Sequence, residues 1–167
     1  MADNAWANMD ATLRKMRELP VKLQKKGLRA ALRKGAVIVR DAARNNARRV
    51  DDPQTRENIP KNITIQSSRR MPKGDVGLRV GVMGGSKSYA NTKDNVRGRR
   101  AGKSFATGGN SSNPGGDTFY WRFVELGTSK IRAQPFMVPA LSNNVGKVIA
   151  TVTSELSDQI TKLARLP

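Results

Sequence analysis

The sequence predicts an α+β fold: a small antiparallel sheet packed against a long N-terminal helix and a C-terminal helix, with a long flexible basic loop. Three observations predict it. Apolar residues recur at three- and four-residue spacing near both ends of the chain, which is the period of an amphipathic helix. Two short segments in the middle alternate apolar and polar residues on either side of a turn, which is the period of a strand. Residues 84–117 hold eight of the fifteen glycines and few large apolar groups.

The first helical stretch, about 4–19, carries Trp6, Met9, Leu13 and Met16 on one face. Pro20 interrupts it or opens the next helix, because proline suits a first turn and not an interior. The second stretch, about 20–49, has an apolar stripe of Leu28, Ala31, Leu32, Gly35, Val39, Ala42 and Ala43. Its small residues allow a neighbour to pack close. Arg29, Arg33, Arg40, Arg44 and Arg48, with Lys22 and Lys26, fall on another face. At about 100° per residue the two stripes centre roughly 140° apart. This basic face reads either as solvated charge or as a rail for phosphate or acidic side chains.

Residues 51–60 form a turn-rich link. Strands follow at about 62–67 and 76–83, and Met71-Pro72-Lys73-Gly74-Asp75 between them has the chemistry of a hairpin turn. The segment 84–117 cannot bury enough surface to fold by itself, so mobility is expected there. It carries Arg97, Arg99, Arg100 and Lys103 as candidate contacts. Thr118–Leu126, rich in aromatic and β-branched residues, reads as a third strand. After a break at Gly127, Leu141, Val145, Val148, Val152, Leu156, Ile160 and Leu163 keep helical spacing, with Pro139 in the first turn. One domain over 1–167 is expected, with 1–19 as an N-terminal helical arm.

Composition limits the chemistry. The chain has 31 Lys and Arg against 13 Asp and Glu, a net charge of +18, with no cysteine and no histidine. Such a surface attracts nucleic acid, acidic protein faces or anionic lipid. Disulfides and thiolate metal sites are excluded, and the commonest general base and zinc ligand are missing. The acids lie mostly in turns and helix ends, without the carboxylate cluster a nuclease needs. The glycine-rich stretch lacks phosphate-loop spacing. No cofactor, metal or catalytic residue is expected, nor an enzymatic activity. No apolar run approaches a membrane span, and the N-terminus lacks the apolar core of a signal peptide. A soluble protein of a reducing cytoplasm is expected.

One stretch is specific. Phe123-Val124-Glu125-Leu126-Gly127-Thr128-Ser129-Lys130, followed by Ala133-Gln134-Pro135-Phe136-Met137-Val138-Pro139-Ala140-Leu141, resembles a signature of the gene-10-type tail-component proteins of long-tailed bacteriophages, which belong with tail-completion and head–tail joining proteins. Physically it is a packing device. Gly127 permits a reversal, Pro135 and Pro139 stiffen the exit, Phe136 plugs the junction, and Glu125 pairs with an arginine or caps backbone donors. Phe123, Val124, Glu125, Gly127, Thr128, Gln134, Pro135, Phe136 and Pro139 are thus scaffold.

The resemblance implies a structural virion protein of the siphovirus neck, assembled in the host cytoplasm. It implies a homo-oligomeric ring, of six copies by expectation, coaxial with the DNA channel. The implied neighbours are the head-closure protein, the tail terminator and the end of the tape-measure protein, with DNA nearby and no membrane. The rival reading from charge alone is a free basic nucleic-acid-binding protein, for DNA or RNA.

Overall fold

Helix α1 (Ala2–Arg17) and helix α2 (Val21–Ala47, 27 residues) meet at Pro20, whose carbonyl accepts from the backbone N–H of Leu23 and Gln24. Proline therefore opens the second helix, where its missing N–H costs nothing. A computed structural model describes residues 2–18, 20–51, 54, 57–68, 71–72, 75–83, 87–105 and 114–164. The remaining elements are α3 (Ile59–Asn62), β1 (Ile63–Ser67), β2 (Leu78–Val82), β3 (Lys87–Ser88), α4 (Lys93–Arg97), β4 (Ser104–Phe105), α5 (Trp121–Leu126), α6 (Met137–Ser142) and α7 (Val145–Ala164). The fold is α+β as expected, with α2 packed with the C-terminal helix and with the small sheet.

The chain divides into two compact units, residues 1–43, 65–81 and 138–167, and residues 44–64 and 82–137. In the first unit α1 lies along α7. Met16, Ala31, Val152 and Leu156 are buried together, with Met9, Leu13, Leu28, Leu32, Val148 and Ile160 packed around them. The apolar stripe of α2 faces inward, as its period requires. Gly35 leaves room for a close approach: a Cβ there would sit 2.7 Å from Val152 Cγ2. At the edge of this seam Lys34 pairs with Glu155 at 3.6 Å.

β1 and β2 form the two-stranded hairpin. Its ends are bracketed by Ser68 N–H to Gly77 O (2.8 Å) and Met83 N–H to Asn62 O (2.7 Å), an antiparallel pairing. Asp75 N–H donates to Pro72 O, closing the turn between the strands. Lys73 and Gly74 lie outside the described residues, as does the side chain of Trp6.

Three expectations are corrected. Thr118–Leu126 is no strand: Phe119 and Tyr120 form a turn and residues 121–126 are helical. Its aromatic content suited a half-buried pleat, but Phe119, Arg122, Phe123 and Leu126 repeat at helical spacing, and tertiary hydrogen bonding settles the choice. The link at 51–60 holds the start of α3, capped by Asn58 Oδ1 accepting from Lys61 N–H, with Pro60 in its first turn. The C-terminal helix is two helices, parted at Asn143 and Asn144. The Asn144 amide donates to Ala140 O, a side-chain bond that competes with helix continuation.

The described part of 84–117 carries local structure. β3 and β4 pair antiparallel, with Lys87 opposite Phe105. Thr92 caps α4 through Asn95 N–H, and Asn95 O accepts from Arg100 and Ala101 N–H. α4 buries no residue. These are short-range bonds without a core, in keeping with the composition. Residues 106–113 lie outside the described part.

Candidate functional site

The residues of the basic face of α2 do different things. Arg29 and Arg33 are exposed. Half-buried Arg40 pairs with its neighbour Asp41 at 2.8 Å. Arg44 is committed to structure: its Nε (3.1 Å) and Nη2 (2.8 Å) both donate to the carbonyl of Ile63 at the start of β1. Arg48 is exposed and donates to Asn45 Oδ1 at 3.2 Å. In the second unit Arg44 and Arg48 line a cleft of about 480 Å³ with Lys61, Asp51, Asn58, Pro60 and Pro114. Three cations and one carboxylate meet there. That carboxylate is engaged, since Asp51 Oδ1 accepts from Ile59 N–H. Lys61 escaped sequence reasoning because it stands far along the chain from the stripe.

The loop cations are exposed. Arg97 ends α4, and Arg99 follows it at φ 53°, in the left-handed region that terminates a helical turn. Arg100 is tethered, with its guanidinium 5.4 Å from the Tyr89 ring centre and its Nε donating to Asn95 Oδ1. Lys103 joins the turn through its backbone, donating to Arg100 O and accepting from Tyr89 N–H.

The motif residues come together as a clamp. Glu125 is buried, and its Oε2 accepts from the backbone N–H of Phe136 (2.7 Å) and Met137 (2.9 Å). Of the two structural roles expected for it, these bonds supply the backbone cap. Gln134 N–H donates to Val124 O, joining the two halves a second time. Gly127 sits at φ 74°, and a Cβ there would lie 2.7 Å from Ala133 N, so glycine is required on two counts. Thr128 Oγ1 accepts from Lys130 and Ile131 N–H, shaping the short return loop. Phe136 is fully buried, edge-on to Trp121 with ring centres 6.5 Å apart. Asn46 donates to its carbonyl. Pro135 is exposed, Pro139 lies in the first turn of α6, and Phe123 points outward.

Sequence reasoning also missed a buried polar node. Asn62 is 1 % exposed. Its Oδ1 accepts from Gly115 N–H (2.7 Å), and its Nδ2 donates to Gly116 O (2.9 Å) and Thr118 Oγ1 (2.8 Å). Thr118 Oγ1 donates in turn to Met83 O. The end of the glycine-rich segment is thus bonded to the hairpin base. Glycine is obligatory at 115, because a Cβ would collide with Asn58 O. Nothing local in the sequence signals a bond between residues 53 apart.

Among the described residues no group of three or more Asp or Glu could hold a metal ion. Among them, too, no helix is long and apolar enough to cross a membrane. No curated protein and no solved structure matches the chain. Residues 10–127 match a family described as "Bacteriophage HK97-gp10, putative tail-component". The match takes in the basic helix, the hairpin, the loop and the first half of the clamp, and ends at Gly127. The chain belongs to this HK97-gp10-like family of bacteriophage tail components and is a structural protein of the virion.

Proposed function

We propose that this protein acts at the neck, completing the tail and joining it to the head around the DNA channel. The observation that carries the reading is how the charge is spent. A chain with a net charge of +18 keeps an apolar core on one side of α2 and presents Arg29 and Arg33 outward on another. A tail component with such a face suits a position where it meets DNA phosphate or an acidic neighbouring ring. A ring of copies, six by expectation, would repeat the face around the channel, and weak single contacts would add through avidity. The head-closure protein, the tail terminator and the end of the tape-measure protein are the neighbours this position implies. In this reading the clamp around Glu125 is scaffold.

Charge also favours a second reading, a free nucleic-acid-binding protein. Salt separates the two: a DNA binder loses affinity steeply with rising salt, with a slope set by the phosphates it neutralises. A phage lacking a working copy of this gene is expected to accumulate filled heads and finished tails. Purified protein added to that mixture should join them. Tight, salt-dependent binding to free DNA with no joining would overturn the neck reading in favour of the second.

A further inference from the structure

Helix α5 is built inside out for a solvated helix. Trp121 and Val124 are half-buried and Glu125 is buried, so one side is spent on the clamp. The other side carries Phe123 (51 % exposed) and Leu126 (75 %), and Phe119 (54 %) stands in the turn that leads into the helix, four residues before Phe123. Ile131, in the loop that returns past Gly127, is 55 % exposed. Single exposed apolar residues are ordinary, but a group of them on one short helix and its two flanking segments marks an interaction surface. The chain has only four phenylalanines, and two of them stand here.

The group is also held rigidly. Glu125, Gly127 and the Gln134-to-Val124 bond fix α5 from within, so a partner would meet a surface already ordered. Pre-organisation lowers the entropic cost of association. The rim is cationic: Arg122, Lys130 and Arg132 are all exposed. The Arg122 guanidinium lies 5.5 Å from the Trp121 ring centre, which restrains it at the edge of the group.

The rim selects the occupant. This face set against the same face of a second copy would place Arg122, Lys130 and Arg132 against their own counterparts, which opposes association there and leaves contacts between ring copies to other surfaces. We infer that the outward face of α5 (Phe123, Leu126), with Phe119 before it and Ile131 after it, docks a different virion protein, one that presents an apolar patch ringed by aspartate and glutamate. Apolar contact supplies the affinity, and the acidic ring supplies selectivity. The inference rests on the proposed joining role and names the surface that role would use.

The test uses the full chain with heads and tails purified from a phage defective in this gene. Three proteins are compared: wild type, Phe123→Gln/Leu126→Gln, and Arg122→Glu/Lys130→Glu. Melting and sedimentation velocity check fold and self-association. Joined particles are counted by negative-stain microscopy across a salt series. Both variants should melt and sediment like wild type yet join roughly tenfold fewer particles or worse, the usual effect of removing an anchor residue at an interface. Wild-type joining should weaken as salt rises. If the double glutamine variant unfolds, Leu126→Gln alone, at the most exposed position, carries the comparison. Undiminished joining by a folded glutamine variant overturns the docking surface. A wild-type oligomer that the glutamine variant dissolves also overturns it, since the occupant would then be a second copy. Failure of wild type to join anything removes the joining role itself, and the inference falls with it.

Discussion

The carboxylate of Glu125 holds the backbone N–H of Phe136 at 2.7 Å and that of Met137 at 2.9 Å. One acid thereby satisfies two donors that would otherwise be unpaired where the chain enters α6. The buried ring of Phe136 is positioned by this bond as well as by packing. Removing the acceptor should strand a buried donor, which costs about 1–3 kcal/mol. Glu125→Ala is therefore expected to lose that much in urea unfolding, and Glu125→Gln less, because an amide oxygen can still accept. Equal losses in the two variants would mean that the carboxylate contributes through something other than these bonds.

Phe136 itself is fully buried against Trp121. Phe136→Ala should cost on the order of 3–5 kcal/mol. In a chain with so few aromatics that loss is expected to lower soluble yield sharply. Unchanged melting would contradict the packing described.

The Asn62 node makes a prediction about the glycine-rich segment. Backbone amides in 87–105, held by short-range bonds over no core, should exchange hydrogen quickly in the isolated protein. Gly115 N–H, bonded to buried Asn62, should exchange slowly. Asn62→Ala should abolish that protection and cost about 1–3 kcal/mol. Protection spread evenly over 87–105 would show that the segment is cooperatively folded.

Glu155 gives a pH dependence. The Gln159 amide donates to its carboxylate, and Lys34 at 3.6 Å and the charge of Lys162 add attraction. Against the desolvation of partial burial, these hold its pKa below the ordinary carboxylate value. A group with a depressed folded pKa stabilises above its unfolded value of about 4.3 and loses that contribution as pH falls through the folded value. Wild type should exceed Glu155→Gln in stability near neutrality by less than about 1 kcal/mol, as for a screened surface pair. The gap should close on acidification. A gap that widens toward low pH would reverse the assignment.

The periodic parts of this fold were legible from residues alone. Leu28, Ala31, Leu32 and Gly35 follow the helical period, and they do face the core of the first unit. Alternation around Ile63 and Val80 marked the hairpin. Thr118–Leu126 was misread because aromatic residues suit a strand and an exposed helical stripe equally well, and only the reach of Glu125 to Phe136 decides between them. Arg44 and Arg40 look alike on a helical projection, yet Arg44 is spent on the Ile63 carbonyl. Projection gives direction and cannot give partners. For this reason charge reversal at Arg44 would confound folding with function, and Arg29→Glu/Arg33→Glu is the cleaner probe of the basic face. That variant should fold normally and fail to complement a phage lacking the gene. Normal infectious yield would reduce the face to solubilising charge.

Cryo-electron microscopy of the virion neck would locate this chain directly. A ring of this chain is expected between head and tail, with the basic face of α2 against DNA or an acidic ring. The outward face of α5 should be covered by a different protein. A neck without this chain, or the chain found elsewhere in the particle, would contradict it.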